Sequence, residues 1–102
     1  MITKNLDISM EHISQEDALM LDKHALYDVP ITPVVVYKYD EGYFVYVPDG
    51  AENFFDTVAS AKGAGYSKEF IDVLKLARTN GCKYAQIDCD GETYDGHRIF
   101  EW

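Results

Sequence analysis

Two strand-rich runs joined by a short acidic turn, together with two capped amphipathic helical stretches, predict an α+β domain. The strand runs are Pro33-Val-Val-Val-Tyr-Lys-Tyr39 and Tyr43-Phe-Val-Tyr-Val47, and the helical ones centre on Ala18-Leu21 and Phe70-Ala77. The sheet should be largely antiparallel, with the helices mostly on one face, in the order β-α-β-β-(α)-α-β-β. No repeat or Pro/Ser-rich linker interrupts the 102 residues, so a single domain over 1–102 is expected.

Leu6-Asp7-Ile8-Ser9-Met10 alternates apolar and polar, the period of a half-buried strand. Ser14 then precedes a helix from Gln15 to about Leu26, with Asp17 at the third helical position in a capping-box arrangement. Ala18, Leu21 and Ala25, flanked by Leu19 and Leu26, supply its buried stripe. Asp28-Val29-Pro30 and Pro33 end the helix and impose extended backbone.

The two runs that follow read as a β-hairpin closed by the three-residue loop Asp40-Glu41-Gly42, with Gly42 in a left-handed conformation. In that register Tyr39 opposes Tyr43, Tyr37 opposes Val45 and Val35 opposes Val47, while Val34, Val36, Lys38, Phe44 and Tyr46 take the other face. Both faces are then apolar. One should take helices, and the other a second layer or an aromatic patch used for binding.

Pro48-Asp49-Gly50 ends the hairpin, and Ala51–Gly65 carries a short helix through Phe54, Phe55 and Val58, stopped by Gly63 and Gly65. The next helix begins at Ser67. Phe70, Val73, Leu74 and Ala77 recur at helical spacing, Ile71 widens the stripe, and Asn80-Gly81 terminates it with Gly81 left-handed. Tyr84 to Cys89 is a strand with Ala85, Ile87 and Cys89 on one side and Gln86 and Asp88 on the other. Asp90-Gly91 and Asp95-Gly96 mark turns before a last strand, His97 to Trp102.

Eighteen acidic residues against nine basic ones give a net charge of −9. Nucleic-acid binding draws its affinity from cations on phosphates, and anionic membranes repel an acidic surface, so neither is an expected partner. The apolar runs fall far short of the roughly 20 residues a membrane helix needs, and residues 1–30 lack a basic flank followed by an apolar stretch. A soluble cytoplasmic protein is expected. Cys82 and Cys89 lack the paired partners of a zinc site and are too few for a disulfide framework, so both should be reduced and partly buried.

Two groups of side chains are candidates for function. The first is the aromatic hairpin with its acidic turn: Tyr37, Tyr39, Tyr43, Phe44, Tyr46, Asp40 and Glu41. A small acidic domain with an aromatic face suits a protein partner with a basic surface, charge steering the encounter and the rings supplying dry contact. The same face could instead be buried in a homodimer. The second group is Asp88 and Asp90, two carboxylates at i, i+2 on a strand, with His97 one hairpin away as ligand or proton shuttle. Oxygen ligands at this spacing suit Mg or Mn. Asp-x-Asp-Gly is also how a strand end and turn look, and the third early acid and distant Glu of a calcium loop are missing. His12 and His24 fit structural or surface roles. Ser9, Ser14, Ser60 and Ser67 lack a nucleophile elbow and no triad assembles from local sequence, so the reading leans to a non-enzymatic protein without cofactor, the alternative being a metal-dependent enzyme on Asp88, Asp90 and His97.

Several short blocks, taken in order, resemble a family of uncharacterised small proteins carried on bacterial plasmids, phages and integrative elements. They are Ile8-Ser9-x-x-His12-Ile13, Tyr43-Phe-Val-Tyr-Val47, Gly65-Tyr-Ser-Lys-Glu-Phe70, Leu74-Lys-Leu-Ala-Arg78, Gly81-Cys82, Ile87-Asp-Cys-Asp-Gly91 and Phe100-Glu-Trp102. The chain departs from that pattern at His97-Arg98, where a leucine-proline pair is expected. The resemblance implies an accessory role on a mobile element, through binding of a host or element-encoded partner. It brings no activity and no catalytic residue.

Overall fold

A computed structural model describes residues 4–26 and 34–101. The sheet holds β1 (Asn5–Ser9), β2 (Val36–Tyr39), β3 (Gly42–Tyr46) and β4 (Tyr84–Asp88) in the order β1-β4-β3-β2. The helices are α1 (Gln15–Leu26), α2 (Ala51–Ala64) and α3 (Lys68–Thr79), and a single 3₁₀ turn, Met10–His12, follows β1. The class is α+β, in the order β-α-β-β-α-α-β. Two of the pairings are antiparallel, while β1 and β4 run parallel, so the sheet is mixed. The last strand in the sequence, β4, lies between the first and the third, and the segment containing α1 links the two edge strands of the sheet.

One face of the sheet makes the core. Leu6 and Ile8, Ala85 and Ile87, Tyr43 and Val45, and Val36 point to it and pack with Ala18, Leu21, Phe54, Val58, Ala61, Phe70, Ile71, Val73, Leu74 and Ala77 of the helices. The stripe read for α3 is buried as expected. In α1 Ala18 and Leu21 are buried, but Leu19 is 62% exposed. The side chain of Leu26, the breaker Asp28-Val29-Pro30, Pro33 and Trp102 lie outside the described residues.

Helix ends follow local chemistry closely. Ser14 and Asp17 exchange hydrogen bonds, the Asp17 amide donating to Ser14 Oγ at 3.1 Å and the Ser14 amide to Asp17 Oδ2 at 3.0 Å. Ser67 caps α3 by accepting from the Phe70 amide at 3.1 Å. The two caps are joined: the Ser67 amide donates to Asp17 Oδ1 at 2.8 Å, and the Ser67 hydroxyl donates to Asp17 Oδ2. Asp17 is 1% exposed, so one buried carboxylate fixes the starts of two helices. Gly65, at φ 104, closes α2. Gly63 lies inside that helix and does not stop it, because one glycine costs only about 1 kcal/mol when packing favours the next turn.

Several expectations are corrected. The hairpin turn is Asp40-Glu41, two residues, with Gly42 already paired to Tyr39 as the first residue of β3. Tyr37 therefore opposes Phe44 and Lys38 opposes Tyr43, one position from the register read in the sequence. Gly42 has no positive φ; glycine is needed there because a Cβ would stand 2.0 Å from the Ile87 carbonyl oxygen. The segment from His97 onward forms no strand among the described residues. Its outer edge of sheet is taken by a tail: the Ser9 amide donates to Glu92 O at 2.7 Å, Tyr94 Oη to Asp7 O at 2.8 Å, and the Phe100 amide to Glu11 O at 2.7 Å. Cys89 falls just past β4 and is exposed, whereas Cys82 is buried.

The helix layer also contains a pH-responsive contact. His24 Nδ1 lies 2.6 Å from the Tyr66 hydroxyl, and burial, then the charge of Lys23, lowers the imidazole pKa from its ordinary 6.5. A lowered folded-state pKa means that the unfolded chain binds the proton more readily. Its contribution is therefore complete above about pH 6.5 and is lost as the pH falls through the lower folded value. Urea midpoints measured at about pH 7.5 and about pH 5.5 should drop toward the acid side. His24→Gln should flatten that slope; an unchanged slope would remove the assignment.

Candidate functional site

The shift of register by one residue decides the character of the face turned away from the helices. Strand side chains alternate, so with Val36 and Lys38 directed to the helix side, Tyr37 and Tyr39 share the other face with Phe44 and Tyr46. Pairing of β3 with β4 sets Tyr46 opposite Tyr84, Phe44 opposite Gln86 and Gly42 opposite Asp88, and β1 adds Asp7 beside Gln86. The open face is thus three rows deep. Val35 meets Tyr46 and Tyr84 in one, Tyr37, Phe44, Gln86 and Asp7 fill the middle one, and Tyr39, Gly42, Asp88 and Ser9 form the third.

The rings make a connected set. Centroids lie 5.0 Å apart for Tyr39 and Phe44, 6.3 Å for Phe44 and Tyr84, and 5.9 Å for Tyr84 and Tyr46, the last two edge-on. Tyr37 stands beside them 58% exposed. Tyr84 was not among the residues singled out in the sequence, although its alternation with Ala85 and Ile87 was the available signal. Tyr43 is the correction in the other direction. It is 5% exposed on the core side, its hydroxyl donating to Asp22 Oδ1 at 2.6 Å, and burial first and then Asp22 push its pKa up. Lys38 Nζ reaches the same carboxylate at 2.8 Å, and these two contacts hold Asp22 below the usual carboxylate range. A lysine directed inward on an edge strand also discourages edge-to-edge pairing.

Acidic groups border the turn end of the face. Asp40 and Glu41 are exposed in the β2–β3 turn, and Asp88 stands next to Tyr39. The Tyr39 hydroxyl donates to Asp88 Oδ2 at 2.5 Å while accepting from Gln86 Nε2 at 3.2 Å, and the Asp90 amide donates to Asp88 Oδ1 at 2.8 Å. Tyr39 and then the Asp90 amide lower the Asp88 pKa; burial and then Asp88 raise that of Tyr39 to about 12. Asp88 is thereby fixed in orientation and ionised at neutral pH.

Asp88, Cys89 and Asp90 bring their donor atoms within 4.8 Å of one another. Among the described residues His97 belongs to no such group. Its ring lies edge-on to that of His12, 5.8 Å between centroids, beside a cleft of about 270 Å³ lined by His12, Lys68, Glu69, Asp72, Gly96, His97 and Arg98. The convergence that an ion site on Asp88, Asp90 and His97 requires is therefore not formed among the described residues, where the tail runs along β1 instead of pairing back on β4. His12 holds that tail: Nε2 accepts from the Tyr94 amide at 2.9 Å, so Nδ1 carries the proton and donates to Arg98 O at 2.9 Å. With both nitrogens engaged and the ring 1% exposed, His12 is structural. Partial desolvation, then the charges of Asp90, Asp88 and Glu41, push the Cys89 thiol up, away from the thiolate that nucleophilic chemistry requires. Among the described residues no helix is long and apolar enough to cross a membrane.

Comparison with known proteins gives one finding. Residues 5–102 match the family described as "Family of unknown function (DUF5983) C-terminal domain". The chain belongs to this family. The DUF5983 match takes in every element of the fold and both candidate groups of residues, and it agrees with the resemblance to an uncharacterised family read in the sequence. The description of DUF5983 assigns no activity to any of these side chains. No curated protein and no solved structure matches the chain.

Proposed function

We propose that the protein is a non-catalytic interaction module, an accessory or counter-defence factor of a mobile element, that docks a basic protein surface on its open sheet face. One observation carries this reading: Tyr37, Tyr39, Phe44, Tyr46 and Tyr84 share a face that none of the described helices covers, with Asp7 and Asp88 on the same face and Asp40 and Glu41 in the turn at its end. Exposed aromatic patches with a polar rim mark interaction sites, and the charge of −9 favours an encounter with a cationic partner. Such a module could occupy the nucleic-acid-binding surface of that partner. The test is affinity capture from a bacterial lysate at low and high salt, with wild type and Tyr37→Ser/Tyr46→Ser in parallel. The expected result is a protein retained by wild type, weakened by salt and lost in the variant. Equal retention by both proteins, or none by either, contradicts the reading.

A second reading, a Mg or Mn site on Asp88 and Asp90, is favoured by the closeness of their carboxylate oxygens, which lie within 4.8 Å of one another. Against it, exposed acids at a turn need no ion, since aspartate there accepts local amide hydrogen bonds such as that from the Asp90 amide. Calorimetric titration of magnesium and manganese is expected to give no saturable binding. A saturable isotherm abolished by Asp88→Asn/Asp90→Asn would establish the second reading instead.

A further inference from the structure

Resting on the open face as a docking surface, we propose that it receives an arginine-bearing segment of a partner protein, with guanidinium groups stacked on the rings and paired with the carboxylates at the turn end. The rings and the acids are adjacent. Asp88 shares a row with Tyr39, Asp7 shares one with Tyr37 and Phe44, and Asp40 and Glu41 join the strands that carry Tyr37, Tyr39, Phe44 and Tyr46. A cation set over Tyr39 therefore has the Asp88 carboxylate in the same row and those of Asp40 and Glu41 in the adjoining turn, while Asp7 closes the middle row on the opposite edge strand from Tyr37.

Arginine fits this arrangement better than lysine does. Its planar guanidinium stacks on an aromatic face and still presents a fork of N–H donors to a carboxylate, whereas an ammonium is a strongly hydrated point charge. Asp88 is held by Tyr39 and the Asp90 amide, so its orientation is set before a partner arrives, and its remaining lone pairs can accept. The platform already attracts a cation within the chain, since Lys83 Nζ lies 5.8 Å from the Tyr84 ring centroid. Arg78 and Arg98 are engaged elsewhere, over Phe54 and Phe100, so the guanidinium groups must come from a partner. A second copy of this chain is the wrong occupant: it would bring another charge of −9 and the same acidic border.

The probes are two short synthetic peptides of equal charge, one of arginines spaced by serines and one of lysines in the same positions, titrated into the full chain. Wild type should bind the arginine peptide about fivefold or more tightly than the lysine one. Tyr37→Leu/Tyr46→Leu keeps apolar area but removes two ring faces, and should bring the two affinities together. Asp40→Asn/Glu41→Gln should weaken both peptides alike. Circular dichroism of each variant establishes that the fold is retained. Equal affinities for the two peptides in wild type, or an arginine preference that survives in the leucine variant, overturns the arginine assignment. If lysate capture still depends on the open face in that case, the docking reading stands alone; if it does not, both fail.

Discussion

Asp17→Ala is expected to lower the free energy of unfolding by about 3–5 kcal/mol, because it removes a buried carboxylate that serves several part-buried donors at once. The carboxylate accepts from the Ser14 amide, the Ser67 amide and the Ser67 hydroxyl, at a position with 1% exposure. Each such donor left without a partner costs about 1–3 kcal/mol, and because the surroundings are part-buried water replaces the lost acceptor only in part. A domain of this size has roughly 5–15 kcal/mol in total, so the melting temperature should fall by about 15 °C or more. Ser67→Ala removes the α3 cap and one of the donors, and should cost about 1–2 kcal/mol. The double variant should be less destabilised than the two effects added together, by about 1 kcal/mol, as expected for residues in one network. Thermal and urea unfolding of the four proteins checks this. Strict additivity would mean that Asp17 and Ser67 cap their helices independently.

Gly42→Ala should destabilise by about 3 kcal/mol, since the added Cβ would meet backbone and not a side chain that can turn away. It would stand 2.0 Å from Ile87 O and 2.9 Å from Asp88 Cα, at the seam between β3 and β4. The strands would have to separate locally, with loss of the row that places Tyr39 beside Asp88. Asparagine discriminates this cause from the one the sequence suggested. Were a left-handed conformation the reason for glycine, Gly42→Asn would be mild, because asparagine tolerates positive φ. Gly42 has no positive φ, and Gly42→Asn should be at least as damaging as Gly42→Ala. The check is denaturant unfolding of both variants, with a mild asparagine substitution as the contradicting result.

The parts of the fold that follow from local chemistry were legible in the chain. Ser14 with Asp17, Ser67 before the stripe of Phe70 to Ala77, and the alternation of Ala85 and Ile87 each satisfy a requirement within a few residues. What was missed depends on distant partners. The hairpin register turns on how closely β4 approaches Gly42, a contact across 45 residues of chain, and a slip of one position moved Tyr43 into the core and Tyr37 and Tyr39 to the open face. The join between two helix caps through Asp17 spans 50 residues and leaves no local trace. His97 could not be placed because the path of the tail is set by His12, which grips Tyr94 and Arg98 from the opposite end of the sequence. The aromatic site was thus recognisable by composition, while its membership was decided by pairing.

Site-specific photocrosslinking tests the docking face most directly. A photoreactive phenylalanine is placed at Tyr37, on the open face, or at Phe55, which is 68% exposed on α2 in the helix layer, and each protein is irradiated in lysate. A discrete adduct formed from position 37 and absent from position 55, and suppressed by raised salt, is the expected result. The same adduct from position 55, with none from position 37, would place the interaction on the helix layer and contradict the account.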